Sequence, residues 1–203
     1  TSQRLWLNGY IAGRYSDAST GSSGGPGLLE AGAPATPRPK VTLLWGSQSG
    51  NAETLCEEFG EKFLGEGFDA RVLSMEDHAE VDLTTEERVI MISSTWGEGD
   101  PPDNAVEFWG KLSSEEHPRL DNLEFSVLAL GDSNYLDFCA MGKMFDARLE
   151  ELGAKRFAPR VDCDVDFEEP SSTWFESVLA NLKVAANGNG SSNGSSAPTG
   201  QSE

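Results

Sequence analysis

The sequence has few cysteines and few basic residues for its length of 203 residues. Its three cysteines, Cys56, Cys139 and Cys163, show neither CxxC spacing nor pairing with nearby histidines. Neither a disulfide framework nor a zinc site is therefore predicted. Lysine and arginine number 15 against 34 aspartates and glutamates, which gives a formal net charge of -19. This acidity argues against nucleic-acid binding and favours either docking on a basic partner or simple solubility.

Long apolar runs are also missing from the sequence. No stretch of about eighteen apolar residues occurs, and no charged leader followed by an apolar segment opens the chain, so we expect no membrane span and no retained signal peptide. A cytoplasmic protein with reduced cysteines is predicted. The chain begins with threonine and ends in a polar tail, so we expect it to be a piece of a longer protein.

Glycine, serine and proline are concentrated in two stretches of the chain. Residues 16–40 are predicted to be a flexible linker and residues 187–203 a disordered linker to a missing domain, because neither can bury enough apolar surface to fold. Between them, residues 41–186 are long enough to form a single domain. Residues 1–15 are apolar enough for a short helical assembly segment, too short to be stable alone.

Short apolar runs alternate with amphipathic stretches in residues 41–186, a pattern typical of a parallel sheet flanked by helices. In the first predicted helix, Leu55, Phe59 and Phe63 recur every four residues, so this face should pack on the sheet. Doubly wound α/β sheets of this kind bind ligands beyond the carboxyl ends of their strands. Strands are predicted at 41–45, 69–73, 89–93, 126–130 and 156–159, and helices at 52–64, 104–112, 141–152 and 172–184.

The first strand and the first helix are joined by the loop Gly46-Ser47-Gln48-Ser49-Gly50-Asn51-Ala52. Its hydroxyl and amide side chains, together with the free N–H groups at the positive end of the helix, can hold an anion. The Gly-Lys-Ser/Thr ending of a triphosphate loop and the Gly-x-Gly-x-x-Gly of a dinucleotide site are both missing. A single phosphate monoester is therefore the predicted ligand, although a plain strand-to-helix turn would also account for the loop.

Two further loops place an aromatic residue just after a strand. Trp96 follows the third strand within Ser93-Ser94-Thr95-Trp96-Gly97-Glu98-Gly99-Asp100, and Tyr135 follows the fourth within Leu130-Gly131-Asp132-Ser133-Asn134-Tyr135-Leu136-Asp137-Phe138-Cys139. Because loop backbone seldom buries a ring, the two side chains are predicted to stack on opposite faces of one flat ligand. Trp96 taken alone could instead pack beneath its own loop.

These three loops resemble the flavin mononucleotide (FMN) loops of the diflavin reductases, and the resemblance extends over residues 41–182. The stretch from Gln3 to Gly13 also resembles the segment that precedes the FMN domain in sulfite reductase flavoproteins. The family resemblance implies a flavodoxin-like, doubly wound five-stranded parallel sheet of order 2-1-3-4-5 with helices on both faces. The cofactor-binding residues that it implies are Ser47, Gln48, Ser49, Gly50, Asn51, Ala52, Ser94, Thr95, Trp96, Gly97, Glu98, Gly99, Leu130, Gly131, Asp132, Asn134, Tyr135, Phe138, Cys139 and Asp164.

The same resemblance implies an electron carrier that needs no catalytic or metal-ligating residue of its own. In the whole protein, an NADPH-dependent oxidoreductase, FAD and NADPH would bind a separate domain of the same chain. FMN would then pass single electrons to a haem and iron–sulfur subunit that reduces sulfite to sulfide, and the parent could be homo-oligomeric. Three alternatives stay open: an acceptor that is a cytochrome, nitrite or nitrate, a quinone-reducing flavoenzyme with NAD(P)H on the same domain, or a module without cofactor that only binds partners.

Overall fold

A computed structural model describes residues 38–188, with side chains described as far as residue 185. Three predicted segments lie wholly or partly outside this part of the chain. They are the segment 1–15, the linker 16–40 as far as residue 37, and the tail 187–203 beyond residue 188. The N-terminal resemblance to sulfite reductase flavoproteins lies outside it as well. Within the described residues, no helix combines the length and the apolar character needed to cross a membrane.

Strands and helices alternate along the described chain, as the apolar pattern predicts. The strands are β1 (Lys40–Gly46), β2 (Asp69–Ser74), β3 (Arg88–Ser94), β4 (Glu124–Leu130), β5 (Lys155–Arg156) and β6 (Val161–Cys163). The helices are α1 (Asn51–Gly65), α2 (Val106–Leu112), α3 (Ala140–Glu151) and α4 (Glu168–Gly188), and 3-10 helices occupy Met75–Glu80 and Asp103–Ala105.

All the strands pair in parallel, in the order β2-β1-β3-β4-β5, and β6 pairs with β4 further along that strand. This confirms the predicted fold class and strand order. The chain runs outward from β1 to β2 and then returns to the other side of β1 to form β3, so the switch in direction lies between β1 and β3. The loops that follow β1, β3 and β4 therefore meet at one edge of the sheet, where doubly wound folds bind ligands.

Helices cover both faces of the sheet, and buried apolar side chains fill the space beneath them. The predicted stripe on α1, formed by Leu55, Phe59 and Phe63, is buried and packs against α4. Phe59 stacks on Phe175 of α4, with the ring centroids 4.5 Å apart. Helices α2 and α3 cover the opposite face, where Phe108 is among the buried side chains.

The predicted strand over 156–159 is wrong in its extent. Two short strands, β5 and β6, pair with successive parts of β4 instead, and residues 157–160 lie between them. Pro159 has no N–H to donate to a ladder, and side chains bond the carbonyl groups of this gap. The Ser126 hydroxyl donates to the Ala158 carbonyl at 3.2 Å, and the Trp174 indole N–H donates to the Pro159 carbonyl at 3.2 Å.

Helix α4 begins at Glu168, four residues before its predicted start at residue 172. Proline normally breaks a helix, but Pro170 lies in the first turn, where its missing N–H would have no intrahelical acceptor. Glu168 and Glu169 also lie in this turn, where carboxylates interact favourably with the helix dipole. The acidic residues before the proline were thus the signal for an earlier start.

Candidate functional site

A cavity of about 410 Å³ opens at the carboxyl edge of the sheet, bordered by the loops after β1, β3 and β4 and by the segment after β6. Most of the predicted site residues line it, so the three loops do converge. The lining residues are Ser49, Asn51, Ser94, Thr95, Trp96, Gly97, Leu130, Gly131, Asp132, Tyr135, Asp137, Phe138, Cys139, Val165 and Phe167. The predicted residues that do not line it are Ser47, Gln48, Gly50, Ala52, Glu98, Gly99, Asn134 and Asp164.

The loop after β1 folds around the Ser47 side chain and leaves backbone donors free. The Ser47 hydroxyl accepts hydrogen bonds from the N–H groups of Gly50 at 2.9 Å and Ala52 at 3.4 Å. The N–H groups of Ser49 and Asn51 have no acceptor among the described residues. They stand at the start of α1, where a helix leaves its first N–H groups unpaired and carries a partial positive charge.

Residues just before α2 hold this first loop in place. The Ser47 N–H donates to Asn104 Oδ1 at 3.0 Å, and Asn104 Nδ2 donates to the carbonyl of Trp45 at 3.2 Å. Gln48 exchanges two hydrogen bonds with Asp103: its Nε2 lies 3.2 Å from Asp103 Oδ2, and its Oε1 accepts the Asp103 N–H at 3.1 Å. Asn104 was not predicted as a site residue, and the available signal was a polar pair directly before a helix. Ser47 and Gln48 therefore shape the loop from outside the cavity.

The loop after β3 is a closed turn with an exposed tryptophan. Trp96 and Asp100 exchange both of their backbone hydrogen bonds, at 2.9 and 2.8 Å. The turn needs glycine at Gly97 and Gly99, whose φ angles are +54° and +100°. Trp96 lines the cavity and is 54% exposed, so it does not pack beneath its own loop.

The loop after β4 is organised by one carboxylate. Asp132 Oδ1 accepts hydrogen bonds from the Asn134 N–H at 2.9 Å and from the Asn134 side chain at 2.7 Å, and the Asp132 carbonyl accepts the Tyr135 N–H at 3.1 Å. Tyr135 is 64% exposed and lines the cavity, as does Trp96. The structure therefore brings the two predicted aromatic side chains to one cavity.

Asp164 joins the segment after β6 to the loop after β4. Its carboxylate accepts hydrogen bonds from the N–H of Ser133 at 3.0 Å, from the Ser133 hydroxyl, and from the N–H of Val165 at 2.8 Å. These bonds, above all that from the Ser133 hydroxyl, lower the pKa of Asp164. Asp164 does not itself line the cavity, whereas Val165 and Phe167 do. Val165 and Phe167 were not among the predicted site residues, although Val165, an apolar residue directly beside Asp164, carried a usable signal.

The floor of the cavity is built around Gly131 and Cys139. A Cβ on Gly131 would lie 2.9 Å from the backbone nitrogen of Cys139, so no side chain fits there. Cys139 has a φ of +56°, and in residues 38–188 no other non-glycine residue has a positive φ. Burial, and then the charge of Asp162, raises the pKa of the Cys139 thiol to about 12. The thiol therefore stays protonated near neutral pH and is not an activated nucleophile.

Lys143 lies directly behind this floor. Its Nζ donates to the Phe138 carbonyl at 2.6 Å, lies 5.2 Å from the centroid of the Phe138 ring, and is 3.9 Å from Asp162 Oδ2. Asp162 also accepts from Arg160 Nε at 2.7 Å, and Arg160 reaches the buried carboxylate of Asp146 at 2.7 Å. Lys143, Asp162, Arg160 and Asp146 therefore form a chain of alternating charges that starts behind the cavity floor.

The two histidines of the chain lie away from this cavity. His78 and His117 are both half-buried and line a second cavity of about 300 Å³ between the 3-10 helix Met75–Glu80 and α2. Lys111 contacts His78 Nε2 there. In the part of the chain that the structure describes, no group of three or more His, Cys, Asp or Glu side chains is arranged to hold a metal ion.

Comparisons with known proteins agree with this geometry. The sulfite reductase [NADPH] flavoprotein alpha-component of Bacillus subtilis (strain 168) is 46% identical over 189 residues, which is 92% of this chain and 31% of that protein. The protein of the same name from Neisseria meningitidis serogroup C (strain FAM18) is 39% identical over 184 residues, 91% of this chain and 30% of that protein. The chain thus spans about a third of the length of these curated relatives.

Solved flavodoxins share the fold. A flavodoxin from Streptococcus pneumoniae TIGR4 has a TM-score of 0.62 at 23% identity, covering 72% of this chain and 99% of that one. A flavodoxin variant from Pseudomonas aeruginosa has a TM-score of 0.60 at 27% identity, covering 71% of this chain and 99% of that one. Residues 43–174 match the family model described as Flavodoxin. The chain therefore belongs to the flavodoxin family.

Proposed function

We propose that this chain binds FMN in the cavity between Trp96 and Tyr135 and acts as the electron-carrying domain of an NADPH-dependent sulfite reductase flavoprotein. The observation that carries the proposal is the meeting, in one cavity, of two exposed aromatic side chains with unpaired N–H groups at the start of a helix. The cavity volume of about 410 Å³ is within the range of pockets that hold small molecules, about 300 to 1,000 Å³.

The donors at the start of α1 fit a phosphate monoester. The N–H groups of Ser49 and Asn51 are unpaired among the described residues, and both residues line the cavity. No lysine or arginine is among the cavity-lining residues that the structure describes. A phosphate would therefore be held by neutral donors and the helix dipole, which together suffice for anion binding.

The opposite part of the cavity fits a flat, largely apolar ring. Trp96 and Tyr135 are more than half exposed, which is costly for large aromatic side chains unless something covers them. Leu130, Phe138 and Cys139 supply an apolar floor between them. An isoalloxazine ring would cover both aromatic faces and be shielded from water by this floor.

The predicted residues outside the cavity have a supporting part in this proposal. They fix the first loop, close the turn after β3 and join the segment after β6 to the loop after β4. The residues proposed for this role are Ser47, Gln48, Gly50, Ala52, Glu98, Gly99, Asn134 and Asp164. Thr95 lines the cavity and also ties the loops together, because its Oγ1 accepts the N–H of Met141 at 3.1 Å.

FMN, when bound, supplies the redox chemistry, because it can take up electrons in pairs and release them singly. The residues of this chain orient the ring, keep water from its faces and set the local electrostatic potential. Asp132 and Asp137 line the cavity, and Glu98 and Asp100 lie in the neighbouring turn. Like charges repel, so these carboxylates disfavour added negative charge in the cavity and favour electron donation.

The names of the relatives support a specific place for this domain in a larger protein. We propose that FAD and NADPH bind a further domain of the parent chain, that the acceptor is a haem and iron–sulfur subunit, and that sulfite is the final substrate. The cytoplasmic location and the homo-oligomeric parent stay predictions. A cytochrome, nitrite or nitrate acceptor, a quinone reductase using NAD(P)H on this domain, and a module without cofactor stay the alternatives.

Two measurements on the full chain test the proposal. Equilibrium titration with FMN, FAD and riboflavin should show tight binding of FMN at one per chain and much weaker binding of riboflavin, which lacks the phosphate. Stepwise reduction with dithionite should then resolve two one-electron steps. A chain that binds none of the three would favour the module without cofactor, and direct reduction by NADPH would favour the quinone reductase.

The acceptor is tested by reconstitution. The chain joined to the NADPH-dependent part of its parent should support sulfide formation when the haem and iron–sulfur subunit of a sulfite reductase is added. FMN binding without sulfide formation, but with reduction of a cytochrome or of nitrite, would replace the acceptor and leave the carrier role intact.

A further inference from the structure

We infer that Lys143, which does not line the cavity, is a positioning residue for the cavity floor and the cation that favours negative charge on fully reduced FMN. The inference deepens the proposed function and rests on it for its second half. It starts from the single non-glycine residue of the described part that has a positive φ, Cys139. Such backbone is costly for a residue with a side chain, and it persists only where its surroundings fix it.

Lys143 bonds the carbonyl groups on both sides of the strained torsion. Its Nζ donates to the Phe138 carbonyl at 2.6 Å, and its backbone N–H donates to the Cys139 carbonyl at 3.1 Å. The first bond is made by a charged donor, which makes it stronger than a bond between neutral groups. One residue of α3 therefore holds the peptide groups before and after Cys139 in the conformation that closes the loop after β4.

The opposite side of Cys139 leaves no room for the loop to relax. Gly131 lies so close that an added Cβ would be 3.0 Å from Cys139 Sγ, and the Gly131 N–H is itself bonded to the Cys163 carbonyl at 3.0 Å. The loop is thus pressed against β4 and β6 on one side and held by Lys143 on the other. Phe138 and Tyr135, which line the cavity, take their positions from this arrangement.

Lys143 also carries a charge that its neighbours only partly offset. Its carboxylate neighbour Asp162 is 3.9 Å away and already accepts a hydrogen bond from Arg160 at 2.7 Å. Within residues 38–188, Lys143 is the one lysine or arginine that hydrogen-bonds a cavity-lining residue, and the lining includes Asp132 and Asp137. Fully reduced FMN gains negative charge, so a cation behind the floor should stabilise it more than oxidised FMN.

The variants Lys143→Met, Lys143→Arg and Lys155→Met in the full chain separate the two roles. Lys155→Met is the matched control, because it removes the same charge at the exposed start of β5, at the other end of the sheet. For each variant, the dissociation constant of oxidised FMN is measured by titration. The dissociation constant of two-electron-reduced FMN then follows from the midpoint potentials of bound and free FMN. Amide hydrogen exchange of residues 132–139 is measured without FMN.

Lys143→Met should weaken binding of reduced FMN about threefold to tenfold more than binding of oxidised FMN, as expected for loss of one nearby charge. In Lys143→Arg and in Lys155→Met, the ratio of the dissociation constants of reduced and oxidised FMN should stay close to that of the unmodified chain. Equal weakening of both forms by Lys143→Met would overturn the charge role, since a merely structural contact would act alike on both.

The positioning role is decided without the cofactor. Amides of residues 132–139 should exchange faster in Lys143→Met than in Lys155→Met, and unchanged exchange would overturn that role. If the unmodified chain binds no FMN, the proposed function fails and the charge role fails with it, whereas hydrogen exchange still decides the positioning role.

Discussion

Gly131 and Cys139 approach so closely that a Cβ on the glycine would lie 2.9 Å from the backbone nitrogen of the cysteine. Both residues are on the cavity wall, so this contact fixes how far the loop after β4 stands from the strand that precedes it. The backbone of Cys139 cannot move away cheaply, because its φ is already +56°.

The variant Gly131→Ala should therefore lose FMN binding and some stability. Insertion of a methyl group into a tight site of this kind costs about 1 to 3 kcal/mol of unfolding free energy, and displacement of the loop should lower FMN affinity by about tenfold or more. Urea unfolding and FMN titration measure the two effects. Gly110→Ala is the matched control, because a Cβ on Gly110 of α2 would meet nothing within 4 Å; it should be neutral or stabilising by up to about 1 kcal/mol. Equal effects of the two variants would contradict the packing argument.

Trp96→Ala and Tyr135→Ala should weaken FMN binding without destabilising the fold. Both side chains are more than half exposed, so their removal should change the free energy of unfolding by no more than about 0.5 kcal/mol. The loss of aromatic stacking and of the covered ring area should raise the FMN dissociation constant about tenfold in each variant. Leu136→Ala tests specificity, because Leu136 is adjacent, fully exposed and outside the cavity lining. An affinity that falls as far in Leu136→Ala as in Tyr135→Ala would contradict the proposed stacking.

The stability of the fold should decrease at alkaline pH, in part through Cys163. Burial, and then the charge of Asp162, raises the pKa of this thiol to about 11, above its usual value of about 9. The folded state holds the proton more tightly than the unfolded state, so the contribution is complete below pH 9 and is lost as the pH rises toward 11. One such group changes the unfolding free energy by at most about 1.4 kcal/mol per pH unit.

The variant Cys163→Ala isolates this contribution. Its loss of stability between pH 9 and 11, followed by urea unfolding, should be shallower than that of the unmodified chain, even though the smaller side chain lowers stability at every pH. Parallel pH profiles for the two proteins would show that Cys163 does not titrate in this range.

Electron transfer to the acceptor should slow as salt is added. Glu57, Glu58 and Glu61 are exposed on α1, and Asp103 and Glu107 are exposed before and within α2, on a chain of net charge -19. If this acidic surface docks a basic partner, screening lowers the association rate.

The double variant Glu57→Lys/Glu58→Lys should reduce the rate at low salt and flatten its salt dependence. Glu115→Lys/Glu116→Lys makes the same charge change in the connection that leads to the amino end of β4 and should leave most of the rate intact.

Much of the fold could be predicted because its main signals are local. Strands β1, β3 and β4 are nearly continuous apolar runs, as buried parallel strands must be, and the spacing of Leu55, Phe59 and Phe63 directly reports the buried face of α1. The break between β5 and β6 depends instead on Trp174, whose indole bonds the Ser126 hydroxyl 48 positions away in sequence. No local pattern contains such a contact.

The functional site likewise has parts that local sequence predicts and parts that it does not. The positions of the three loops follow from the rule that parallel strands end at one edge, so the convergence of Ser49, Trp96 and Tyr135 could be predicted. The polar pair before α2 marks Asn104, but its partner could not be predicted, because Asn104 acts on a loop 57 positions earlier in sequence. Phe167 could not be predicted either, because it reaches the cavity only through the path of the chain after β6.

The cavity wall contains two carboxylates and, among the described residues, no lysine or arginine. An anionic cofactor would have to approach against the long-range field of a chain with net charge -19. Once inside the cavity, it would be held by N–H donors and the helix dipole, which act only at short range. Added salt would screen that field and speed the loading of FMN, while the same salt would slow docking of a basic acceptor. Loading of the cofactor and docking of the acceptor would then have opposite dependences on ionic strength.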